Sequence, residues 1–543
     1  MVDGLARNRD KGPLTMVANQ YDAIVIGGGH NGLVNAAYLA RAGKNVVVLE
    51  KRHVLGGAAV TEEIFPGFKY SVCSYVVSLL RPEIIRELNL PRHGLEILPL
   101  ESTMTPLLEG GYLARWADHD QTRRELYRHS PKDADAYDDF SKLMYQLAVA
   151  VKPILSMVPP NPTSFHPRDL LGFAKLAKHF RGLGAEQFHE LYKLMTMSAA
   201  DYLDEWFETE ALKATMSASG IIGTFLGPRS PGTAYVLLHH YMGEIDGAMR
   251  AWGFARGGTG AVSESIASAA RSFGAEIRTE AGVTQVIVKN GKVTGVALEN
   301  GDEVHAPIVV SALDPKRTFL GLLEKKHLPS DFVQTIQRFK IRGSSGKVNL
   351  SLSELPDFTC LPGAGPHLRG AISISPTVEY LERAYDEAKY GAFSRRPYMD
   401  IIIPSMIDPG MAPPGKHVMS IFVQYAPSDL NGGWDDSKRE AFGDAVIDTL
   451  ARFAPNLPGA ILHRQVLTPW DIDRVMGLTQ GNIFHGELTF HQLFCMRPAV
   501  GWADFTTPLA GYYQCGSGTH PGGGITGASG RMAALKVLKD RSW

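Results

Sequence analysis

Three glycines, Gly27, Gly29 and Gly32, stand at GxGxxG spacing in the stretch VIGGGHNGLV (25–34), and a carboxylate, Glu50, follows. In that order these residue types suit a dinucleotide. Gly27 permits a tight turn, Gly29 lets backbone approach a pyrophosphate, and Gly32 allows close helix–strand packing. The helix opening at the turn presents free N–H groups and positive dipole to phosphates. An acid about 20 residues on binds ribose hydroxyls, and its charge repels a 2′-phosphate, so NADP is disfavoured here. Gly28 and Asn31, inside the same turn, join the candidate cofactor contacts. The alternative is a glycine turn with no ligand.

The chemistry needs a strand, a turn, a helix and a second strand, and the sequence supplies them. YDAIVI (21–26) is a short apolar, β-branched run that predicts a buried parallel strand. From Asn31 to Ala42, Leu33, Val34, Ala36, Ala37, Leu39 and Ala40 recur at helical spacing, and Gly43 sits where a C-cap glycine belongs. NVVVLE (45–50) predicts the next strand. After it, Lys51, Arg52 and the bulk-free run Gly56, Gly57, Ala58 and Ala59 let backbone pass close to a flat ligand or a phosphate. A tight turn is the plainer reading of that run.

Two more pieces lie far along the chain. Residues 257–312 open with glycines and a helix from Val262 to Phe273, then alternate as strands, with Asn-Gly hairpin signals at 290–291 and 300–301. Val283 is placed to read an adenine edge through its backbone, or simply to build the sheet. Residues 511–540 repeat the strand–glycine–helix order: YYQC, then GSGTHPGGGITGASG, then a helix with Ala528, Met532, Ala533, Leu535 and Leu538 facing inward. Two such loops in one chain suggest one large ligand clamped from two sides.

Composition narrows the classes. The chain has 543 residues, 55 basic against 56 acidic, which gives no electrostatic reason to expect nucleic acid. Cys73, Cys360, Cys495 and Cys515 are scattered with no CxxC, so neither a zinc site nor a redox disulfide is indicated, and no metal site is expected. No HExxH and no nucleophile elbow occur. No apolar run reaches the ~18–20 residues that span a bilayer. MVDGLARNRDKGPLTMVANQ lacks the apolar core of a secretory signal and is expected to be a flexible leader.

The run from Gly27 to Gly57 resembles the FAD signature of the flavin amine oxidase and phytoene desaturase superfamily. CGSGTHPGGGITG (515–527) resembles its carotenoid desaturase, phytoene dehydrogenase-like branch. SPGTAYVLLHH (230–240), GGTGAVSESIA (257–267) and PPGKHVMSIFVQYAP (413–427) resemble the pyridine nucleotide-disulfide oxidoreductase domain-containing protein 2 group and its bacterial relatives. The resemblance implies noncovalent FAD. It implies that Gly27, Gly28, Gly29 and Gly32 hold the pyrophosphate and Glu50 the ribose. Arg52 and Gly56–Ala59 would run past the ribityl chain or ring, and Val283 would contact adenine. Gly516, Gly518, Thr519, His520, Gly522, Gly523, Gly524, Ile525 and Thr526 would cap the phosphate and flavin. The "disulfide" of the group's name finds no paired cysteines here. Cys515 reads as a buried strand cysteine rather than a flavin attachment point.

The expected fold is mixed α/β: a discontinuous Rossmann-like FAD domain (21–100, 245–330 and 481–543) after the leader 1–20. A helical lid or substrate region (101–244) and a substrate-domain sheet (331–480) are inserted into it. In the helical region RDLLGFAKLAKHFRGL (168–183) is basic and amphipathic, suiting a lid over a cleft or peripheral membrane contact. His239 and His240 are adjacent, point to different faces and read as structural. His520 reads as a cofactor contact. No catalytic residue is assigned. The expected activity is FAD-dependent desaturase-like hydride removal from an apolar polyene or lipid. The alternatives are an amine oxidase with a flanking aromatic pair (Tyr512, Tyr513 and Trp502 being available), a redox-silent isomerase, and an FAD-bound regulatory partner. The electron acceptor is open between oxygen, a quinone and a protein, and the oligomeric state is open. The expected compartment is the cytoplasm of a bacterium or the mitochondrial matrix of a eukaryote.

Overall fold

The computed structural model describes residues 21–540; the leader expected at 1–20 lies outside them. A five-stranded parallel sheet runs Glu276–Arg278, Val46–Leu49, Ala23–Ile26, Ile308–Ser311, Tyr512–Gln514. The central strands are continuous apolar runs because both faces are covered. Ala23, Val25, Val46, Val48 and Val310 point to one side, into a cluster with Leu33, Val34 and Ala37 of the helix His30–Arg41, Val262 and Ile266 of Gly260–Ser272, and Met532 and Val537 of Ala528–Asp540. Ile24, Ile26, Val47 and Leu49 point to the other, onto Val286 and Val296 of an antiparallel sheet, Val283–Lys289, Lys292–Leu298 and Glu303–His305. Asn290 and Gly291 both have positive φ (50° and 71°), the two-residue turn that suits a right-twisted hairpin.

The late helix differs from expectation in one position. Leu535 faces solvent, 43% exposed, while Ala534 and Val537 take the buried stripe. The sheet and the helix His30–Arg41 bracket this helix, and that fixes its phase.

A second sheet of seven strands runs Ile461–Leu467, Ser345–Leu352, His417–Gln424, Tyr398–Ile402, Ala371–Ile374, Ser102–Pro106, Tyr112–Trp116. Phe442, Val446 and Leu450 of the helix Asp436–Ala451 pack on one of its faces. Its last two strands fall inside the stretch expected to be helical from residue 101; Gly110 and Gly111, both at positive φ, make the turn between them. The helix Ser330–Arg338, which straddles the boundary expected at 331, sends Phe332, Val333 and Ile336 into the nucleotide-side core with Ile24 and Phe319. Helices between His119 and Tyr241 form a separate core around Tyr137, Phe140, Leu194, Tyr202, Leu212 and Leu237. Among the described residues no helix is long and apolar enough to cross a membrane. The basic helix Pro167–Arg181 buries none of its residues and leaves Leu170 and Leu171 exposed.

Candidate functional site

Each glycine of the first turn answers a separate steric demand. Gly27 has φ +96°, a region open chiefly to glycine. A Cβ on Gly32 would lie 2.2 Å from the Gly27 carbonyl oxygen, so helix and strand meet at van der Waals limit only without it. A Cβ on Gly29 would meet nothing closer than the Gly56 carbonyl oxygen at 4.0 Å; this backbone faces open space at the helix N-terminus. Glu50 is buried. Its Oε2 accepts from the Gly28 N–H at 2.7 Å and its Oε1 from the Arg52 N–H at 2.9 Å, which aims the carboxylate at the turn.

Gly56 donates its N–H to the Gly28 carbonyl at 2.9 Å, laying the second glycine pair along the first turn. Gly56 and Gly57 both have positive φ, and the Ala59 carbonyl accepts from Ser263 Oγ at 2.8 Å. The Ala58 carbonyl accepts from the Ser74 N–H at 3.0 Å. Two flanking cations are engaged elsewhere: Arg52 pairs with Glu62 at 2.8 Å, and Lys51 with Glu299 at the surface. Val283 opens its strand opposite Leu298, just past Ala281, whose N–H donates to the Glu50 carbonyl at 2.8 Å.

The late loop docks on this turn. Asn31 Nδ2 donates to Ser517 Oγ at 3.0 Å, and Asn35 Nδ2 to the Gly530 carbonyl at 3.1 Å, across 486 and 495 residues of chain. Cβ atoms on Gly516, Gly518 and Gly523 would strike the Ala312 carbonyl, the Pro315 ring and Phe484 at 2.5, 2.3 and 1.9 Å. Gly522 and Gly524 hold φ +116° and +100°. Thr519 Oγ1 donates to the Gly516 carbonyl at 2.8 Å, Ile525 is buried, and the Thr526 carbonyl accepts from the Arg81 N–H at 3.1 Å.

Neutral imidazoles surround the loop. His30 lies against the Gly524 backbone and His239 against that of Gly523. His520 bonds the Ile154 carbonyl through Nε2 at 2.8 Å. Burial pulls their pKa values down to about 4, 3 and 4. His30 Nε2, His239 Nε2, His485 Nδ1 and His520 Nδ1 are buried polar atoms without a hydrogen-bond partner among the described residues. An uncharged His520 offers a ligand one hydrogen bond but no charge for a phosphate. Adjacent His239 and His240 do part company: the second turns away to line a cavity and joins its Nδ1 to the Val236 carbonyl.

These imidazoles predict acid sensitivity. The unfolded chain protonates them below about pH 6.5, while the folded protein resists until about pH 4. Above pH 6.5 they contribute nothing. Between 6.5 and 4 each removes up to roughly 1.4 kcal/mol of stability per pH unit. Thermal unfolding should therefore have a clearly lower midpoint at pH 5.5 than at pH 7.5; equal midpoints refute this account.

Sequence reasoning missed three side chains here. Arg497 is fully buried and carries no carboxylate partner among the described residues. Its guanidinium donates to the carbonyls of Phe484, Gly486, Glu487, Gln492 and Ser517 at 2.8–3.3 Å, and burial pulls its pKa down to about 9. Phe484 closes over Gly523 and Gly223. Lys347, buried in the seven-stranded sheet, donates from Nζ to Ser420 Oγ at 2.6 Å and sits 4.5 Å above the Tyr75 ring; burial pulls its pKa down to about 7. A lysine in a strand that otherwise carries no charge, SGKVNLSL, was the only signal available.

A cavity of about 520 Å³ lies between the seven-stranded sheet and the helical region. Val76, Ile222 and His240 are among its lining residues, and Tyr398 and Asp400 line its sheet wall. No residue of Pro167–Arg181 lines it, so that helix is no lid over this cavity. Tyr512 and Trp502 pack with Phe319 and Phe332 on one face of the nucleotide sheet and Tyr513 on the other, so they form no aromatic pair at the cavity. All four cysteines are free, and burial pushes the Cys515 thiol far up.

The donor set fits a flavin dinucleotide: an open backbone at a helix N-terminus, a buried acid beside it, and a second loop with orphaned imidazole nitrogens. Residues 32–538 match the family described as flavin containing amine oxidoreductase. Pyridine nucleotide-disulfide oxidoreductase domain-containing protein 2 of Rattus norvegicus is 42% identical over 96% of this chain and 94% of its own length. A limonene dehydrogenase subunit from Castellaniella defragrans is 27% identical over 96% of this chain and 95% of its own. The solved structure of cyclohexylamine oxidase from Brevibacterium oxydans IH-35A has the same fold, with TM-score 0.56 and 18% identity over 96% of this chain and all of that one.

Proposed function

We propose, since this chain belongs to the flavin containing amine oxidoreductase family, that it removes hydride from a C–H bond of a substrate with an apolar body, as a desaturase or dehydrogenase does. FAD is its cofactor, and when bound it supplies the hydride acceptor. The chain's own residues do the rest. The turn 27–32 and the N-terminus of His30–Arg41 bind pyrophosphate, Glu50 the ribose, and 516–526 the far side. Phe484, Leu79 and Leu488, packed on Gly523, Gly524 and Gly522, exclude water. Lys347 Nζ holds a proton that its burial makes easy to release near neutral pH, and Tyr75, beneath it, donates to Asp400 at the cavity wall.

The observation that carries this reading is the Asn31–Ser517 contact, which joins two glycine loops in a fold that also encloses a cavity large enough for a substrate. The similarity to a limonene dehydrogenase supports hydride removal from a hydrocarbon-like body. A regulatory partner would have no need of such a cavity.

The test is direct. Purified protein should show a flavin spectrum, release its flavin on denaturation, and bleach anaerobically with one class among polyenes, lipids and amines. Reoxidation by oxygen, a quinone analogue or a carrier protein then names the acceptor. Bleaching by amines alone, or isomerised product with no net reduction, replaces the desaturase reading. A colourless protein that takes up no FAD ends it.

A further inference from the structure

We propose that the cavity takes a substrate bearing an oxyanionic head group, a carboxylate or a phosphate, gripped by Arg115 and Arg250. This rests on reading the cavity as the substrate site. Arg115 comes from the strand Tyr112–Trp116. Arg250 directly follows the short strand Ala248–Met249, held at φ +62°. Both line the cavity.

Neither guanidinium forms an ion pair among the described residues, and Arg115 Nε is buried without a hydrogen-bond partner among them. Arg250 donates to the Tyr137 hydroxyl at 2.5 Å and lies 5.5 and 5.1 Å from the Tyr137 and Tyr241 rings. Those rings fix its fork in place. Burial, and then the repulsion of Arg250, pull the pKa of Arg115 down. The cavity's own groups offset the two charges only in part: the Tyr137 hydroxyl is shared by both guanidinium groups, and Asp400 feels Arg115 without forming an ion pair with it. Asp246 is exposed in the turn at its edge, and Asp400 is committed to the Tyr75 hydroxyl at 2.5 Å, with burial pushing its pKa up to about 6.

Two like charges sharing a partly desolvated wall are costly unless an anion bridges them. Guanidinium forks suit carboxylate and phosphate oxygens, because each presents paired N–H donors at matching spacing. The remaining lining mixes polar side chains, Ser102 and Ser373 among them, with the apolar Leu100, Met216, Leu237 and Trp252, so it can contact both a polar head and an apolar body. Limonene, named in one relative, is a hydrocarbon with nothing for such a pair to hold, so this chain's substrate differs from it at the head.

Calorimetry on the FAD-loaded full chain tests this without any turnover. The probes are decanoate, decyl phosphate, decanol and decylamine. At least one of the two anions should bind roughly 30-fold or more tightly than the alcohol and the amine, and which one binds names the head group. Arg115→Met and Arg250→Met should each weaken that anion roughly 30-fold or more while leaving flavin content unchanged, and Arg250→Lys should fall between. Where a Met variant fails to fold, the Lys variant and the wild-type head-group series decide. Binding of decanol as tight as the anions, no binding of either anion, or a flavin-loaded Met variant that binds like wild type each overturns the proposal. Anion binding in a protein that no substrate bleaches would retain the head-group site and discard hydride removal.

Discussion

Gly32→Val should yield a protein that holds no FAD and unfolds well below the wild type. The added Cβ would sit 2.2 Å from the Gly27 carbonyl oxygen and 3.0 Å from the Ala312 Cβ. The first of these is backbone in the central strand's exit turn, so it cannot swing aside like a side chain. Prising the helix off the strand costs upwards of ~3 kcal/mol and opens the pyrophosphate cradle as it does so. Gly29→Ala separates the two effects. Its Cβ has room and its φ of −70° suits alanine, so the apoprotein should unfold as the wild type does. In the proposed site the methyl stands in the path of the pyrophosphate, and FAD affinity should fall at least about tenfold, ~1.4 kcal/mol. Flavin-to-protein ratio and apoprotein unfolding, measured side by side, check both. A Gly32→Val protein with full flavin refutes the account.

Arg497→Met should be the most damaging single change outside the glycines. One side chain satisfies five buried carbonyls, and a thioether satisfies none. Each orphaned acceptor costs about 1–3 kcal/mol, offset in part by relief of burying the charge, for a net loss of about 3–5 kcal/mol. The carbonyls belong to 484, 486, 487, 492 and 517, so the damage reaches the segment that covers Gly523 and the late loop. Arg497→Lys keeps the charge but not the planar fork, and should recover less than half. Thermal unfolding with flavin release followed at the same time measures this; a Met variant as stable as wild type would show that the network is incidental.

The nucleotide half was legible because its signals are local. VVVL and IVVS announce strands buried on both faces, and glycine spacing states the turn. The inserted half was less so. STMTP ends in proline and YLARW alternates weakly, so the hairpin over 102–116 does not separate from its helical surroundings. Leu535 shows the limit of periodicity: a helix squeezed between a sheet and another helix can turn its stripe by one residue. Arg497 and Lys347 were invisible for a different reason. Nothing in RPAVG or SGKVNLSL says that five carbonyls converge on one and a tyrosine ring on the other. The charged character of the cavity was likewise hidden, because Arg115 and Arg250 lie 135 residues apart and meet only through the sheet edge and the short hairpin.

The Asn31–Ser517 contact also sets an order of events in the cell. The first half of the proposed FAD site leaves the ribosome hundreds of residues before the strand, loop and helix that pack against it. At roughly 5–20 residues per second that interval is roughly half a minute to a minute and a half. Through it the apolar face of His30–Arg41 that Ala528–Asp540 will cover stays bare, a surface for chaperones to guard. With the site as proposed, a chain stopped before the late loop would carry the first glycines without their counterpart, and it is expected to lose its flavin.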